Sequence, residues 1–261
     1  MDTTNLAEEI ARREEIKKTR KKKKRKKKNY LLRFFLLVLA GVALYFFLSS
    51  SFFDVEKIQV KNNTYYTAEQ IIQMSGAKVG GNLFDADVKG MKAKLLKDAY
   101  MKNISVKRSV PGTLTITVEE RKEATVIPYG EKFIILDENG LVLRHSTMEP
   151  KLPLLLGMTI KEMTPGKALV VEENSVLTDT LFMLQSMEKN DMYFKKIDIT
   201  NIIIKAYIYD NLICEGTPEN ILKSMEKGNL QMVLKDLFAN GVERGIIKVG
   251  SDDYCSFSPM V

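Results

Sequence analysis

The sequence predicts an α+β protein in which a single membrane-crossing helix precedes two small mixed domains. Three observations lead there. The chain has 261 residues, 45% apolar and 28% charged, enough for two modest domains but too few for a bundle of membrane helices. One uninterrupted apolar run, Phe34 to Leu48, adjoins a lysine-rich tail. Beyond Asp54 the pattern changes to short alternating apolar and polar stretches interleaved with helical spacings.

The formal charge of +7 belongs to the tail. Residues 1–33 carry fourteen of the 40 basic residues and five of the 33 acidic ones, net +9, which leaves 26 basic against 28 acidic residues, net −2, after Arg33. From Arg12 to Lys28 the run RREEIKKTRKKKKRKKK repels itself and buries little apolar surface, so residues 1–29 are expected to be a disordered tail. No aromatic is interleaved in that run to stack on bases, so it reads as a topology signal in contact with anionic lipid headgroups, not as a nucleic-acid site.

Fifteen helical residues span only about 22 Å, short of the roughly 30 Å hydrocarbon core. Taking in Tyr30 to Leu32 and Ser49 to Phe53 closes the gap if Arg33 snorkels to the headgroups, which sets the expected span at 30–53. A cleaved signal peptide would use the small pair Ser49 and Ser51, but its charged leader would be unusually long. A buried core helix is the plainer alternative, but an apolar stretch with no polar face directly beside a lysine tract suits no soluble core. With the lysines on one side, the positive-inside bias puts residues 1–29 in the cytoplasm and everything after Phe53 outside.

Residues 54–121 read as strand, helix, helix, strand, strand. Val55 to Val60 has strand character, and Thr67-Ala-Glu-Gln70 is a capping box opening a helix that Gly76 ends. Asp85 is a candidate N-cap for a second helix, with Val88, Met91 and Leu95 on one face. Ile104 and Val106, then Leu114, Ile116 and Val118, alternate with polar residues on either side of Val110-Pro111-Gly112, where Pro and Gly suit a type II turn. A three-stranded sheet covered by two helices follows.

Residues 122–261 make the second domain. Asn139-Gly140 is a strong hairpin signal between Phe133 to Leu136 and Leu141 to Leu143. A helix with Leu177, Leu181 and Leu184 on one face follows, then strands over 197–200, 202–209 and 212–215. Thr217-Pro218-Glu219 is the start of a helix running to about Ala239, with Gly228 as its weak point and Gly241 as its stop. Gly245 to Val249 and Tyr254 to Phe257 are the terminal strands.

No constellation suits catalysis, a metal or a cofactor. Asp137 and Glu138 are expected to be solvated turn residues at a hairpin tip. His145, the single histidine, follows Arg144 at a polar strand exit and reads as a surface residue. Cys255 reads as a small apolar residue, and Gly80-Gly81 lacks the Lys and Ser/Thr of a phosphate loop. Whether Cys214 and Cys255 pair cannot be judged from spacing.

Several of these pieces, in order, carry a resemblance. An anchor, then Gly81-Asn-Leu-Phe84, Ile104-Ser-Val-Lys-Arg108, Pro111-Gly-Thr-Leu-Thr-Ile-Thr-Val118 and Glu120-Arg121 resemble a POTRA domain as arranged in the bacterial division proteins FtsQ and DivIB. Phe133 to Leu143 and Leu152-Pro-Leu-Leu-Leu-Gly157 are similar to that family's second, β domain. The resemblance implies a non-catalytic, single-pass scaffold at the division septum. It would bind small single-pass partners of the FtsL and FtsB/DivIC kind, with no nucleic acid and no small-molecule substrate, and act through them on septal peptidoglycan synthesis. The family's final strand is an open edge, so the partner-binding role carries to Tyr254, Cys255, Ser256 and Phe257, and proline at Ser256 should abolish binding without unfolding the protein. Two other classes compete: a POTRA-bearing secretion or chaperone component, which would be expected to have further POTRA repeats or a barrel, and an anchored cell-wall enzyme, which lacks a catalytic constellation.

Overall fold

The computed structural model describes residues 3–252 and 254–260. Helix α1 runs without interruption over Thr3–Leu48. The backbone is helical from Thr3 where the charge run predicts a disordered tail. Lys, Arg and Glu are strong helix formers, an apolar helix C-terminal to them supplies the nucleus, and Arg13 pairs with Glu9 one turn away at 2.9 Å. The side chains of 21–29, and with them most of the lysine tract read as a headgroup contact, lie outside the described residues. Within α1, Tyr30–Leu48 is long and apolar enough to cross a membrane.

That helix stops at Leu48, five residues before the expected boundary. Ser50 turns its hydroxyl onto the Phe47 carbonyl at 2.7 Å, and Ser51–Phe53 is a 3₁₀ turn whose Phe53 is buried. By contacts the chain divides into two units, the first comprising Met1–Gln59, Ala77–Asp87 and Lys107–Thr115. Here the Phe53 ring meets Phe84 edge-on at 5.3 Å, and the Phe53 carbonyl accepts from the Leu83 amide at 2.8 Å. Asn82 donates to the Leu48 carbonyl at 2.9 Å, and Arg108 donates to the carbonyls of Leu83 and Ala86. The Gly81-Asn-Leu-Phe84 turn thus clamps the chain as it leaves the long helix.

Strands β1 (Lys57–Lys61), β2 (Met101–Ser109) and β3 (Thr113–Glu120) form a sheet of order β1-β3-β2, and α2 (Ala68–Ser75) and α3 (Val88–Leu95) lie between β1 and β2 in the chain. The alternation of β3 buries Leu114, Ile116 and Val118. The capping box is complete: Thr67 accepts from the Gln70 amide, Gln70 accepts from the Thr67 amide, and Gly76 ends the helix at φ +72°. Two local expectations fail. Asp85 sits in a turn, its amide donating to the Asn82 carbonyl, and α3 begins only at Val88. The Val110–Pro111 bond is cis and Gly112 does not take the positive φ of a type II turn. Gly112 is required for another reason, since its carbonyl accepts from the amides of Glu56 and Lys57 and an added Cβ would strike the Asp54 carbonyl.

The second unit comprises Val60–Gly76, Val88–Val106 and Ile116–Val261. It contains β4 (Glu123–Tyr129), β5 (Lys132–Asp137), β6 (Val142–Ser146), β7 (Leu154–Leu156), β8 (Ile160–Glu162), β9 (Val170–Val171), β10 (Lys196–Asp198), β11 (Ile204–Tyr209), β12 (Leu212–Gly216), β13 (Gly245–Val249) and β14 (Cys255–Ser258). Nine of these form one sheet of order β14-β13-β12-β11-β10-β7-β4-β5-β6, while β8 and β9 pair separately. Helices α4 (Asn174–Gln185), α5 (Pro218–Glu226) and α6 (Asn229–Ala239) supply Leu177, Leu181, Ile221, Met225, Leu230 and Leu234 to the main core, against Ile197, Ile204, Cys214 and Ile247 of the sheet. The expected single helix from Pro218 to Ala239 is two helices, because Gly228 takes the left-handed conformation at φ +78° and the chain turns there. Strand β4, with Pro128 near its end, was not read from the sequence.

Candidate functional site at the open edge of the large sheet

The nine-stranded sheet has two edges, and they are finished differently. Beside β6, Val142 exchanges backbone hydrogen bonds with the 166–167 segment: its amide donates to the Lys167 carbonyl at 2.9 Å, and its carbonyl accepts from Gly166 at 2.8 Å. Leu141 bridges to Ala168, and the His145 ring nitrogen Nε2 lies 3.1 Å from the Met163 carbonyl. A strap therefore runs along that edge. At the other end, β14 has a strand on one side only among the described residues.

The backbone of β14 has a definite polarity. Val249 faces Cys255, and the Gly250 amide donates to the Tyr254 carbonyl at 3.0 Å. Antiparallel pairs alternate between hydrogen-bonded and non-hydrogen-bonded, so Ser256 and Ser258 occupy bonded pairs with Lys248 and Ile246. The amides of Cys255 and Phe257 then point away from β13, toward the open side. Of the four residues carried over from the resemblance, Ser256 is thus the wrong place for proline, which would break the sheet's own ladder there.

Side chains alternate as well. Cys255 and Phe257 pack against the main core, with Cys255 Sγ 3.1 Å from Ser224 Oγ and the Phe257 ring seated over Gly245, where a Cβ would collide with it. Tyr254, 71% exposed, precedes the strand at the hairpin end. Cys214 lies on β12 opposite Ile247, which lies opposite Phe257, so the two cysteines are two strands apart, roughly 9 to 10 Å in the lateral direction alone. That is beyond disulfide reach, and both are thiols. Burial pushes the Cys214 thiol well above its ordinary pKa, which leaves it unreactive.

A second concentration of polar side chains lies where residues 64–66, 100–102 and 119–123 meet strands β5 and β6. Glu120 accepts from the amides of Thr64 and Tyr65, both at 2.6 Å, and Tyr66 at 3.3 Å. Tyr65 stacks on Tyr100 at 3.8 Å, the Tyr100 hydroxyl donates to Glu123 at 2.6 Å, and Arg144 Nε donates to both. Burial and the adjacent carboxylate push the Tyr100 phenol far above its ordinary pKa. Asp137 is not the solvated turn residue expected of it: it is buried, paired with Arg121 at 2.8 Å, and accepts from the amides of Asn139 and Leu141. The cleft here holds about 390 Å³, and most of its charged groups bind one another or the backbone. These contacts explain Glu120-Arg121 as a structural pair. Among the described residues no group of three or more His, Cys, Asp or Glu side chains is placed to hold a metal ion.

Comparison with known proteins adds what the chain is similar to. A POTRA domain of the FtsQ type matches residues 53–121. Cell division protein DivIB of Clostridium acetobutylicum is 28% identical over 179 residues, covering 67% of this chain and 72% of that protein. DivIB of Clostridium tetani is 27% identical over 76% of each chain. Cell division protein FtsQ of Geobacter sp. (strain M21) is 29% identical over 57% of this chain and 53% of that one. Among solved structures, the major extracytoplasmic domain of the trans isomer of DivIB from Geobacillus stearothermophilus aligns over 41% of this chain and 87% of that one, at 14% identity and a TM-score of 0.31. The chain is a homologue of the DivIB and FtsQ cell division proteins, with a POTRA domain of the FtsQ type at residues 53–121.

Proposed function

We propose that the chain is a non-catalytic scaffold of the division machinery. It is held by one membrane crossing over Tyr30–Leu48, with the basic tail in the cytoplasm and a POTRA domain (54–121) and a β domain (122–261) outside, at the septum. Its task is to hold small single-pass partners of the FtsL and FtsB/DivIC kind and to link them to septal peptidoglycan synthesis. The observation that carries this reading is the contrast between the two sheet edges: β6 is strapped, whereas β14 offers outward-pointing amides at Cys255 and Phe257. Left-open edges invite pairing with another chain, so a short one is the natural seat for a partner strand.

Proline at Phe257 removes an outward N–H without touching the β13 ladder, and Phe257→Ala controls for the lost ring. Co-purification of the full chain from membranes with its division partners tests the reading. Phe257→Pro is expected to lose the partners while Phe257→Ala retains a measurable fraction; equal retention by both variants would remove the edge from consideration.

A further inference from the structure

Resting on the strand-addition reading, we infer that the partner strand is an acidic one, read by Lys248 across Ser256. The face of the large sheet opposite the helices carries two rows of side chains, set by the pairing register. One row runs Asp198, Lys205, Glu215, Lys248, Ser256. The other runs Lys196, Tyr207, Ile213, Ile246, Ser258. In the first row the charges alternate in sign strand by strand, and Lys205 pairs with Glu215 at 3.8 Å. Lys248 is exposed and takes part in none of the ion pairs within 4 Å found among the described residues.

Both rows end on β14 in serine. A serine leaves the space above it open, so the long Lys248 stem can lie over Ser256 and present its ammonium to the next strand, two sheet spacings or about 10 Å away. An added strand therefore places one side chain beside Ser256 within reach of Lys248, and an acidic residue there continues the alternation. A basic residue would meet like charge. On the other face, the added strand lies beside Cys255 and Phe257, which sit against the core, so its alternate residues are apolar. The partner segment is a strand with apolar residues on one side and carboxylates on the other.

The test uses the full chain in detergent and two blocked, labelled peptides, one alternating Val and Glu and one alternating Val and Lys, with affinities read by fluorescence anisotropy. The basic tail attracts any acidic peptide, so the quantity that matters is how the Glu-to-Lys preference changes when Lys248 alone is altered. Lys248→Glu is expected to shift that preference toward the Lys peptide by about fivefold or more, and Lys248→Gln by less. Phe257→Pro is expected to weaken both peptides relative to Phe257→Ala. If Phe257→Pro weakens both but Lys248→Glu leaves the preference where it was, the acidic assignment is wrong and strand addition stands. If neither peptide responds to Phe257→Pro, strand addition itself fails.

Discussion

Arg121 donates through Nη1 to the buried carboxylate of Asp137 at 2.8 Å, joining the residue just after β3 to the end of β5. The Asp137 side chain is 2% exposed and that of Arg121 20%, so neither group has full recourse to water when the other is removed. Asp137→Ala also strips the acceptor from the Asn139 and Leu141 amides. The expected loss is about 2–3 kcal/mol in urea unfolding, with Asp137→Asn costing less because it keeps an acceptor for the turn. Equal midpoints for wild type and Asp137→Ala would show that the pair is solvated in solution.

Two tyrosines should make the protein sensitive to alkali. Burial, then the hydrogen bond to Asp98, raise the Tyr66 pKa; burial, then the bond to Glu123, raise that of Tyr100. The folded state keeps these phenols protonated at pH values where the unfolded chain has lost the protons, so stability falls as pH rises above the ordinary tyrosine value near 10. Melting temperatures are expected to be level on this account up to about pH 10 and to decline beyond it, with a shallower decline in Tyr66→Phe/Tyr100→Phe. An unchanged slope in the double variant would contradict the assignment.

Two glycines of the first unit should behave differently. A Cβ at Gly112 strikes the Asp54 carbonyl, a backbone atom that cannot swing aside, whereas one at Gly81 meets nothing within 4 Å. Gly112→Ala is expected to cost about 1–3 kcal/mol and Gly81→Ala no more than about 0.5, measured by thermal unfolding. Reversed costs would mean that the β1 approach to Gly112 is looser than the hydrogen bonds indicate.

The two thiols differ in access. Cys255 is half-buried at the edge strand and Cys214 fully buried beneath the helices. Titration with a thiol reagent is expected to find one reactive group in the native chain and two after denaturation, and non-reducing gels should show no intramolecular cross-link. A cross-linked species in freshly purified protein would overturn the strand register between β12 and β14.

Much of this was legible in the sequence because the relevant signals are local. The capping box at Thr67, the Asn139-Gly140 turn, the Thr217-Pro218 helix start and the alternation of Leu114, Ile116 and Val118 each depend on residues within a few positions of one another. What was missed depends on distant partners. Asp137 looks like an exposed turn carboxylate until Arg121 arrives beside it, and β4 becomes a strand through its pairing with β5. Gly228 carried a helix-weakening signal, but whether it would bend or break the helix was decided by the core on either side of it. At the candidate site, the position of the terminal strand was readable, but not which of its amides face outward, since that is set by the β13 register.

Hydrogen exchange at the Phe257 amide tests the central claim most directly, measured in the full chain in lipid nanodiscs with and without co-purified single-pass division partners. Ser256, bonded to Lys248, should exchange slowly in both states. Phe257 should exchange quickly alone and at least about tenfold more slowly with the partners bound. Bound partners with an unaltered Phe257 rate would contradict strand addition at this edge.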